Sequence, residues 1–403
     1  MSHRLFGPMS IDDFLQQHWQ QKPLLVHRAI EVSELDIDPS ELAGLCCDTE
    51  APSRIVIEHG ESPWQLKVGP FEEKDFTSLP VSHWSLLIND IETYIPELTT
   101  LIESFRFLPD WRIDDLMISY ATDQGSVGPH VDEYDVFLIQ LQGVRRWTID
   151  ESPNFDSSFL LNTDLKILEN FAPNQTWDLH PGDMLYLPPG VPHHGIAEGE
   201  CMTLSVGFRA PSSGELVQSW LDDIGDSENF KTRYRDAKRK TQNEPGEISQ
   251  NDLSELKTLL MQGIMNNSHS LDLWLGKYLT EGKRPDPALL EAFYIDDPLS
   301  QESTKGLLPD TDYQRFPGTR IAYLKNNQEL FLFVGGSQYS LDLKQLSAVQ
   351  YLCQEQKYIA SLLASICSDP VIFELLNTLI NNNKIVLTEH DPCNQSKEES
   401  LYS

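Results

Sequence analysis

Long apolar runs and paired cysteines are both missing from this chain of 403 residues. No stretch approaches the roughly 20 apolar residues that a membrane-spanning helix needs, and the first residues lack the apolar segment of a secretory signal. The sequence therefore predicts a cytoplasmic protein with no membrane partner. The 6 cysteines form no C-x-x-C pair, so neither a disulfide framework nor a cysteine metal site is expected. They are Cys46, Cys47, Cys201, Cys353, Cys367 and Cys393.

Positive charge is also scarce. The chain has 30 basic and 62 acidic side chains, which gives a formal net charge of -32. Such a field repels the phosphates of nucleic acids and attracts basic partners, so nucleic acid is not an expected ligand. A solvated acidic surface that serves only solubility is the alternative interpretation, because net charge informs about association and not about fold.

The length exceeds that of one ordinary core and predicts more than one domain. Short apolar runs and turn signals continue to about residue 211 and indicate a β-rich domain with added helices, an α+β architecture. Residues 212–285 change to helical spacing. Residues 310–392 show paired strands, two helices and a closing strand, the order of a winged-helix domain. This last segment carries more acidic than basic residues, which favours a protein contact over DNA binding.

Within the first domain, several segments have the composition of strands, and the last of them alternates between apolar and small or polar residues. One face of that strand is therefore expected in the core, and the other is expected to line a cavity. The predicted strands are Leu116 to Ala121, His130 to Leu141, Val144 to Ile149, Asp183 to Leu187 and Cys201 to Phe208.

Two short segments carry the most specific signal. Pro129-His130-Val131-Asp132 offers an imidazole and a carboxylate that share one face if the segment is a strand. Further on, Pro188-Pro189-Gly190 leads into His193 and His194, of which only one can face a cavity. This turn has the P-P-G-x-x-H form seen in metal-binding double-stranded β-helix proteins, which selects His193. His130, Asp132 and His193 together form the ligand set of a non-haem Fe(II) site with open coordination positions.

A 2-oxo acid can occupy two of these positions, and the far carboxylate of 2-oxoglutarate then requires a cation. Arg145 and Arg146 follow a predicted hairpin turn at Gln142-Gly143, and only one of them can point inward. Arg145 shares its face with Trp147 and Ile149, so the alternation nominates Arg145 as the carboxylate ligand. A surface arginine pair on an ordinary hairpin is the alternative.

Smaller polar residues are candidates for further co-substrate contacts. Ser119 and Tyr120 precede the H-x-D segment, and Thr203 and Ser205 lie on the polar face of a later strand. Ser119 is the one that we assign to co-substrate binding. Each of these side chains could instead hydrogen-bond buried backbone groups.

These residues resemble the ribosomal oxygenases of bacteria, within the Jumonji-C (JmjC), cupin-like family. The resemblance is specific over about residues 5 to 211 and weaker beyond. It rests on Phe14-Leu15, Trp19, Lys22-Pro23-Leu24, Leu108 to Ser119, Gly128 to Phe137, Arg145-Arg146-Trp147, Pro188 to His193 and Ser205 to Pro211.

The resemblance implies a double-stranded β-helix catalytic domain over residues 1–211, a helical dimerisation segment over 212–285 and a winged-helix domain over 310–392. It also implies a homodimeric Fe(II)- and 2-oxoglutarate-dependent dioxygenase that hydroxylates an arginine side chain of a large-subunit (50S) ribosomal protein. The family's metal ligands carry over to His130, Asp132 and His193, and its 2-oxoglutarate cation carries over to Arg145. Thr203 departs from the pattern, because the resemblance predicts an amide side chain there.

Two other functions remain open from the sequence. The same oxidant could demethylate an N-methylated lysine or arginine, or the barrel could sense metal or 2-oxoglutarate for a DNA-binding winged helix. A basic substrate suits acidic groups at the cavity mouth, and Asp114, Asp115, Glu133 and Asp135 are the candidates. Simple surface charge is the alternative for these four residues.

Overall fold

The computed structural model describes the chain except residues 1–4, 33, 34, 36, 59–63, 153, 162, 225–230, 238–245, 266, 267, 283–298, 309 and 389–403. Cys393 and the ends of two predicted segments, 283–285 and 389–392, therefore lie outside the described residues. The described part divides into two compact units. One comprises residues 1–210, 283–319 and 356–403, and the other comprises residues 211–282 and 320–355.

The first unit is built on a nine-stranded antiparallel sheet. Its strands follow the order β1-β8-β6-β9-β5-β4-β2-β3, and β7 pairs with β6 beside this path. The elements are α1 Ile11–Gln17, β1 Leu24–Val26, α2 Pro39–Asp48, β2 Ser53–Ile57, β3 Gln65–Val68, α3 Glu73–Thr77, β4 Trp84–Ile88, α4 Thr99–Ile102, β5 Ile113–Ala121, β6 Val136–Ile149, β7 Gln175–Leu179, β8 Met184–Leu187 and β9 His193–Phe208.

Strand β6 is buried on both faces, which explains its continuous apolar sequence. Phe137 and Ile139 belong to the large core shared with the helices, whereas Val136 and Leu138 belong to a smaller cluster on the opposite face. Strand β9 pairs with β6 along almost its whole length. The smaller cluster therefore marks the inner side of the curved sheet, where the polar face of β9 is also buried.

Two strand predictions were wrong in this region. The segment predicted as His130 to Leu141 becomes a strand only at Val136, and His130 lies in an isolated bridge. No hairpin turn separates the next predicted strand, since β6 continues through Gln142-Gly143 to Ile149. Gly143 has φ +63° there, and the register with β9 shifts on both sides of Gln142. The glycine that predicted a turn therefore produces an irregularity within one continuous strand.

The second unit contains the helices that follow the sheet. Its elements are α5 Ser213–Ile224, α6 Gln250–Met265, α7 Ser268–Thr280, β11 Ile321–Lys325, β12 Leu330–Val334, β13 Ser337–Leu341 and α9 Leu346–Gln354, and the three strands form one antiparallel sheet. Helix α7 packs tightly on β12, because a Cβ at Gly276 would lie 2.3 Å from the Phe333 ring. Residues 320–355 thus group with the helical segment.

The remaining elements, which belong to the first unit, are α8 Gln301–Leu307, β10 Tyr313–Arg315, β14 Lys357–Tyr358, α10 Ala360–Ile366, α11 Pro370–Asn381 and β15 Ile385–Leu387. Strand β10 pairs with both β14 and β15. The segment predicted as a winged helix is therefore shared between the two units, and the domain partition stays a prediction. Among the described helices, none combines the length and the apolar character that crossing a membrane requires.

Candidate metal centre

The structure brings together the three side chains that the sequence nominated as metal ligands. His130, Asp132 and His193 each offer one ligand atom, and these atoms lie within 4.8 Å of one another. Asp132 Oδ2 is 3.6 Å from His193 Nε2 and 4.0 Å from His130 Nε2. Among the described residues, this is the only group of three or more such side chains.

Backbone hydrogen bonds fix the two histidines relative to each other. The His130 N–H donates to the His193 carbonyl over 3.0 Å, and the His193 N–H donates to the His130 carbonyl over 2.9 Å. The Gly190 N–H donates to the Asp132 carbonyl over 2.8 Å, with Gly190 at φ +78°. The Pro-Pro-Gly turn therefore anchors the H-x-D segment, which replaces the strand geometry that the sequence predicted for His130 and Asp132.

Both imidazoles have a second contact that sets their tautomer. His130 Nδ1 lies 2.9 Å from the Gly128 carbonyl, and His193 Nδ1 lies 2.8 Å from the Val191 carbonyl. Because a carbonyl only accepts, each Nδ1 carries the hydrogen and each Nε2 presents its lone pair. Burial, with a smaller contribution from His130, lowers the pKa of His193 to about 4. The donor set therefore consists of two imidazole Nε2 atoms and one carboxylate, which fits a divalent cation such as Fe(II).

Two histidines that are close in sequence to His193 lie outside the triad. His194 Nε2 is 2.8 Å from Ser126 Oγ, so its imidazole is engaged outside the triad. Burial lowers the pKa of His194 to about 4 as well. His180 is exposed. The alternation argument that separated His193 from His194 agrees with this placement.

Arg145 and Arg146 have opposite environments, as the alternation predicted. Arg145 is 5% exposed, whereas the Arg146 side chain is 45% exposed and pairs with Asp178 and Glu198. Arg145 Nη1 lies 3.4 Å from Ser119 Oγ, and Nη2 is buried with no hydrogen-bond partner. No carboxylate among the described residues pairs with Arg145. A buried guanidinium with no paired carboxylate and an unsatisfied Nη2 is suited to bind an anion.

The predicted co-substrate residues lie around this guanidinium. Ser119 Oγ donates to the Thr203 carbonyl over 3.3 Å. Thr203 Oγ1 donates to Gln140 Oε1 over 2.9 Å, and both side chains are buried. Sequence reasoning missed Gln140, although a polar residue on the inner face of an apolar strand is a recognisable signal. Gln140 provides an amide next to Thr203, where the resemblance predicts one at position 203 itself.

One of the four acidic candidates differs from the expected mouth position. Asp135 is fully buried, accepts hydrogen bonds from Tyr186 and Gln20, and pairs with Arg112 over 3.1 Å. Its carboxylate is paired with Arg112 inside the protein, so the expectation that it meets substrate was wrong. Glu133 is exposed on the surface.

The other two acidic candidates lie near the start of β5. Asp114 is partly exposed, and its Oδ1 lies 4.0 Å from Arg209 Nε. Asp115 is buried and accepts a hydrogen bond from Asn89 over 2.9 Å. Burial and the neighbouring Asp132 carboxylate raise the pKa of Tyr134, and the charge of Asp115 adds to this effect. Tyr134, which the sequence argument did not nominate, therefore lies near both carboxylates.

Two histidines and one aspartate that can hold a metal, together with a buried arginine on β6 of the antiparallel sheet, define a metal-dependent oxygenase of the cupin-like class. A profile of the JmjC domain matches residues 100–216, and one of the AraC-like ligand-binding domain matches residues 169–273. The chain is 32% identical to the ribosomal protein uL16 3-hydroxylase of Escherichia coli strain K12, over 92% of this chain and 95% of that protein. A probable ribosomal oxygenase of Haemophilus influenzae is 36% identical over 51% of this chain and 50% of that protein.

The solved structures agree with the sequence relatives. The X-ray structure of E. coli YcfD superposes with a TM-score of 0.82 at 31% identity, covering 94% of this chain and 98% of that chain. YcfD, a ribosomal oxygenase, has also been solved with cobalt and 2-oxoglutarate, and that structure superposes with a TM-score of 0.77 at 29% identity over 94% of this chain and 99% of that chain. The chain belongs to the ribosomal oxygenases of the JmjC family.

This membership confirms the predicted JmjC, cupin-like fold and the prediction of an Fe(II)- and 2-oxoglutarate-dependent dioxygenase. The individual roles of His130, Asp132, His193, Arg145 and Ser119 stay predictions. Their positions in the structure support those roles, since the first three offer a divalent-metal donor set and the last two lie at the buried anion position.

Replacing a ligand should weaken metal binding strongly, whereas replacing the adjacent histidine should not. We expect His193→Ala to weaken Co(II) binding by at least about 100-fold, because a neutral nitrogen donor is lost from a site that has only three. His194→Ala, the matched control, should retain affinity within about tenfold. Calorimetric titration of the metal-free protein with Co(II) measures both values. Equal losses in the two variants would contradict the ligand assignment.

Proposed function

We propose that this protein hydroxylates an arginine side chain of a basic large-subunit ribosomal protein, with 2-oxoglutarate as co-substrate. The observation that carries the proposal is the His130-Asp132-His193 triad, in a chain that aligns over 92% of its length with a uL16 3-hydroxylase. These three side chains would hold Fe(II) in an arrangement with open positions. The bound metal would supply the oxidising chemistry that couples decarboxylation of 2-oxoglutarate to insertion of one oxygen atom into the substrate.

The residues of the chain have separate tasks in this reaction. Arg145 binds the far carboxylate of 2-oxoglutarate through its unpartnered Nη2, and Ser119 Oγ accepts a hydrogen bond from Nη1 and so holds the guanidinium in place. The inner apolar cluster, which includes Trp147 and Ile149, excludes water from the cavity. A dry cavity strengthens the electrostatic contacts of the co-substrate and protects the reaction from side products.

The substrate side is acidic. Asp115 is buried with its Oδ1 beside Gly207, on the polar face of β9, and Tyr134 lies near both Asp115 and the metal-binding Asp132. A planar guanidinium forms charge-assisted hydrogen bonds with a carboxylate, so Asp115 suits an arginine. The formal charge of -32 attracts a basic protein over longer distances. Because the substrate belongs to the ribosome, we place the activity in the cytoplasm.

Mass spectrometry tests the proposed reaction. Incubation of the basic ribosomal protein with the enzyme, Fe(II) and 2-oxoglutarate should add the mass of about one oxygen atom. His130→Ala should give no added mass, and fragmentation should place the modification on an arginine. A substrate in which that arginine is replaced by lysine should remain unmodified.

Two results would lead to other conclusions. Formaldehyde released from an N-methylated substrate, without stable hydroxylation, would establish the demethylase alternative. Salt-dependent DNA binding without any turnover would establish the regulatory alternative.

Arg145 and Arg146 form a matched pair for testing the co-substrate site. We expect Arg145→Gln to raise the KM for 2-oxoglutarate by about 100-fold, because two charge-assisted hydrogen bonds in a buried site are lost. Arg146→Gln should leave this KM within about twofold, since Arg146 is paired on the surface. Steady-state succinate formation gives both constants. An unchanged KM for 2-oxoglutarate in the Arg145 variant would contradict the assignment of Arg145 to the co-substrate carboxylate.

The second unit supports the expected homodimer. Helix α6 has no buried residue among those described, and exposed apolar side chains lie on both α5 and α6. They are Val217, Leu221, Leu256, Leu260, Met261 and Met265, each at least 45% exposed. An apolar surface of this kind is typical of a protein interface.

Light scattering tests the dimer. The protein should have twice the chain mass of 45.9 kDa, and the double variant Leu221→Glu/Leu260→Glu should have that of one chain. Val81→Glu is the control, because Val81 is 98% exposed and lies in the first unit. A wild-type monomer would refute the dimer.

The C-terminal segment 310–392 supports a winged-helix assignment by its order of elements. Helices α10 and α11 lie between β14 and β15 in the chain, and both strands pair with β10. We propose domains at 1–211, 212–285 and 310–392 on this basis. The acidic excess of the last domain favours a contact with a protein.

A further inference from the structure

The start of β5 contains an irregularity next to the proposed substrate carboxylate. Ile113 pairs with Phe208 and Leu116 pairs with Val206, so β5 has one residue more than β9 between these pairs. Asp114 and Asp115 lie in this bulge. A bulge changes the direction of the side chains that it contains, and bulges are common beside active sites.

The backbone of the bulge is held by a glutamate from another segment. Strand β4 ends at Ile88, which pairs with Ile118, so Leu116 lies beyond the last pair of that ladder. The Leu116 N–H donates instead to Glu92 Oε2 over 3.0 Å. Burial, together with the charges of Asp90 and Asp115, raises the pKa of Glu92 to about 8. Glu92 therefore accepts this hydrogen bond largely as a neutral acid at neutral pH.

The carboxylate of Asp115 is held by the same segment. Asn89 Nδ2 donates to Asp115 Oδ2 over 2.9 Å, and the Asp90 N–H approaches the same oxygen at 3.4 Å. Asp90 has φ +54°, the left-handed conformation, which turns its N–H toward the bulge. Asp115 Oδ1 lies on the side of Gly207, where an added Cβ would be 3.3 Å away.

We infer that the Asn89–Glu92 segment positions Asp115 for substrate recognition, with Asn89 orienting its carboxylate and Glu92 fixing the bulge that carries it. The inference rests on the proposed function, because it gives Asp115 the task of binding the substrate guanidinium. Asn89 and Glu92 are positioning residues in this arrangement.

Kinetics of single variants test the role of each residue. Asn89→Ala and Glu92→Ala should each raise the KM for the ribosomal protein by about tenfold, the effect of one hydrogen bond to a charged or buried group. The KM for 2-oxoglutarate should change by less than about twofold. Glu92→Gln should restore the substrate KM to near the wild-type value, because a neutral amide oxygen also accepts the Leu116 N–H. Glu97→Ala replaces an exposed glutamate nearby and serves as the control.

A double-mutant cycle separates positioning from general destabilisation. If Asn89 acts through Asp115, Asn89→Ala should have no further effect on the substrate KM in an Asp115→Asn background. The inference would be overturned if the effects of Asn89→Ala and Asp115→Asn on the substrate KM were additive. It would also be overturned if the KM values for substrate and 2-oxoglutarate rose equally, or if Glu92→Gln did not restore the substrate KM.

The outcome also distinguishes this inference from the proposed function. A wild-type protein that does not hydroxylate the ribosomal protein would refute both. Hydroxylation that is unaffected by Asp115→Asn would refute the recognition role of Asp115 and the inference, and would leave the hydroxylase intact. If Asp115→Asn raises the KM for the ribosomal protein but Asn89→Ala and Glu92→Ala leave it unchanged, only the positioning role of the segment is refuted.

Discussion

The paired backbone hydrogen bonds between His130 and His193 are the constraint on which the metal centre depends. They join two parts of the chain that are far apart in sequence, and they place both imidazoles at one point. This bridge requires β9 to reach His193 while it pairs with β6 at Ile149, so the site forms only when the sheet is complete. Metal binding and folding of the first unit are therefore coupled, as expected where a ligand set is assembled from distant segments.

Two buried charged residues, Asp135 and Arg145, differ in how far the protein itself compensates their charge. Asp135 has its full complement of partners, including the Arg112 guanidinium and the Tyr186 hydroxyl, and the protein gains stability only because these contacts offset the cost of burial. Arg145 has a serine hydroxyl and a thiol near it and an Nη2 without a partner. The cost of burying Arg145 is not offset within the described protein, and an anionic co-substrate would offset it. An incompletely compensated charge is thus a better indication of a ligand site than burial alone.

The sequence predicted the site more accurately than the backbone that holds it. The order of the ligands, the choice of His193 over His194 and the inward direction of Arg145 all follow from residue type and local alternation. Alternation fails for His130 and Asp132, which lie before the strand, because the Pro-Pro-Gly turn and the His130–His193 bridge hold them instead. Asn89 and Tyr134 carry no distinctive spacing, and their proximity to the site depends on long-range pairing. Asp135 was misplaced because sequence alone does not show whether a carboxylate meets solvent or pairs with an arginine inside the protein.

Irregular backbone, and not regular strand geometry, directs the side chains proposed to bind ligands at both ends of the cavity. On β6, the even-numbered Val136 and Leu138 face inward before the irregularity, whereas the odd-numbered Trp147 and Ile149 face inward after it. An unbroken alternation from Val136 would have turned Arg146 inward and left Arg145 outside. Gly143 makes the shift feasible, because its φ of +63° disfavours other residues and a Cβ would lie 2.1 Å from the Glu200 carbonyl. The β5 bulge acts in the same way on Asp115, so the anion position and the acidic position each depend on an irregular stretch of strand.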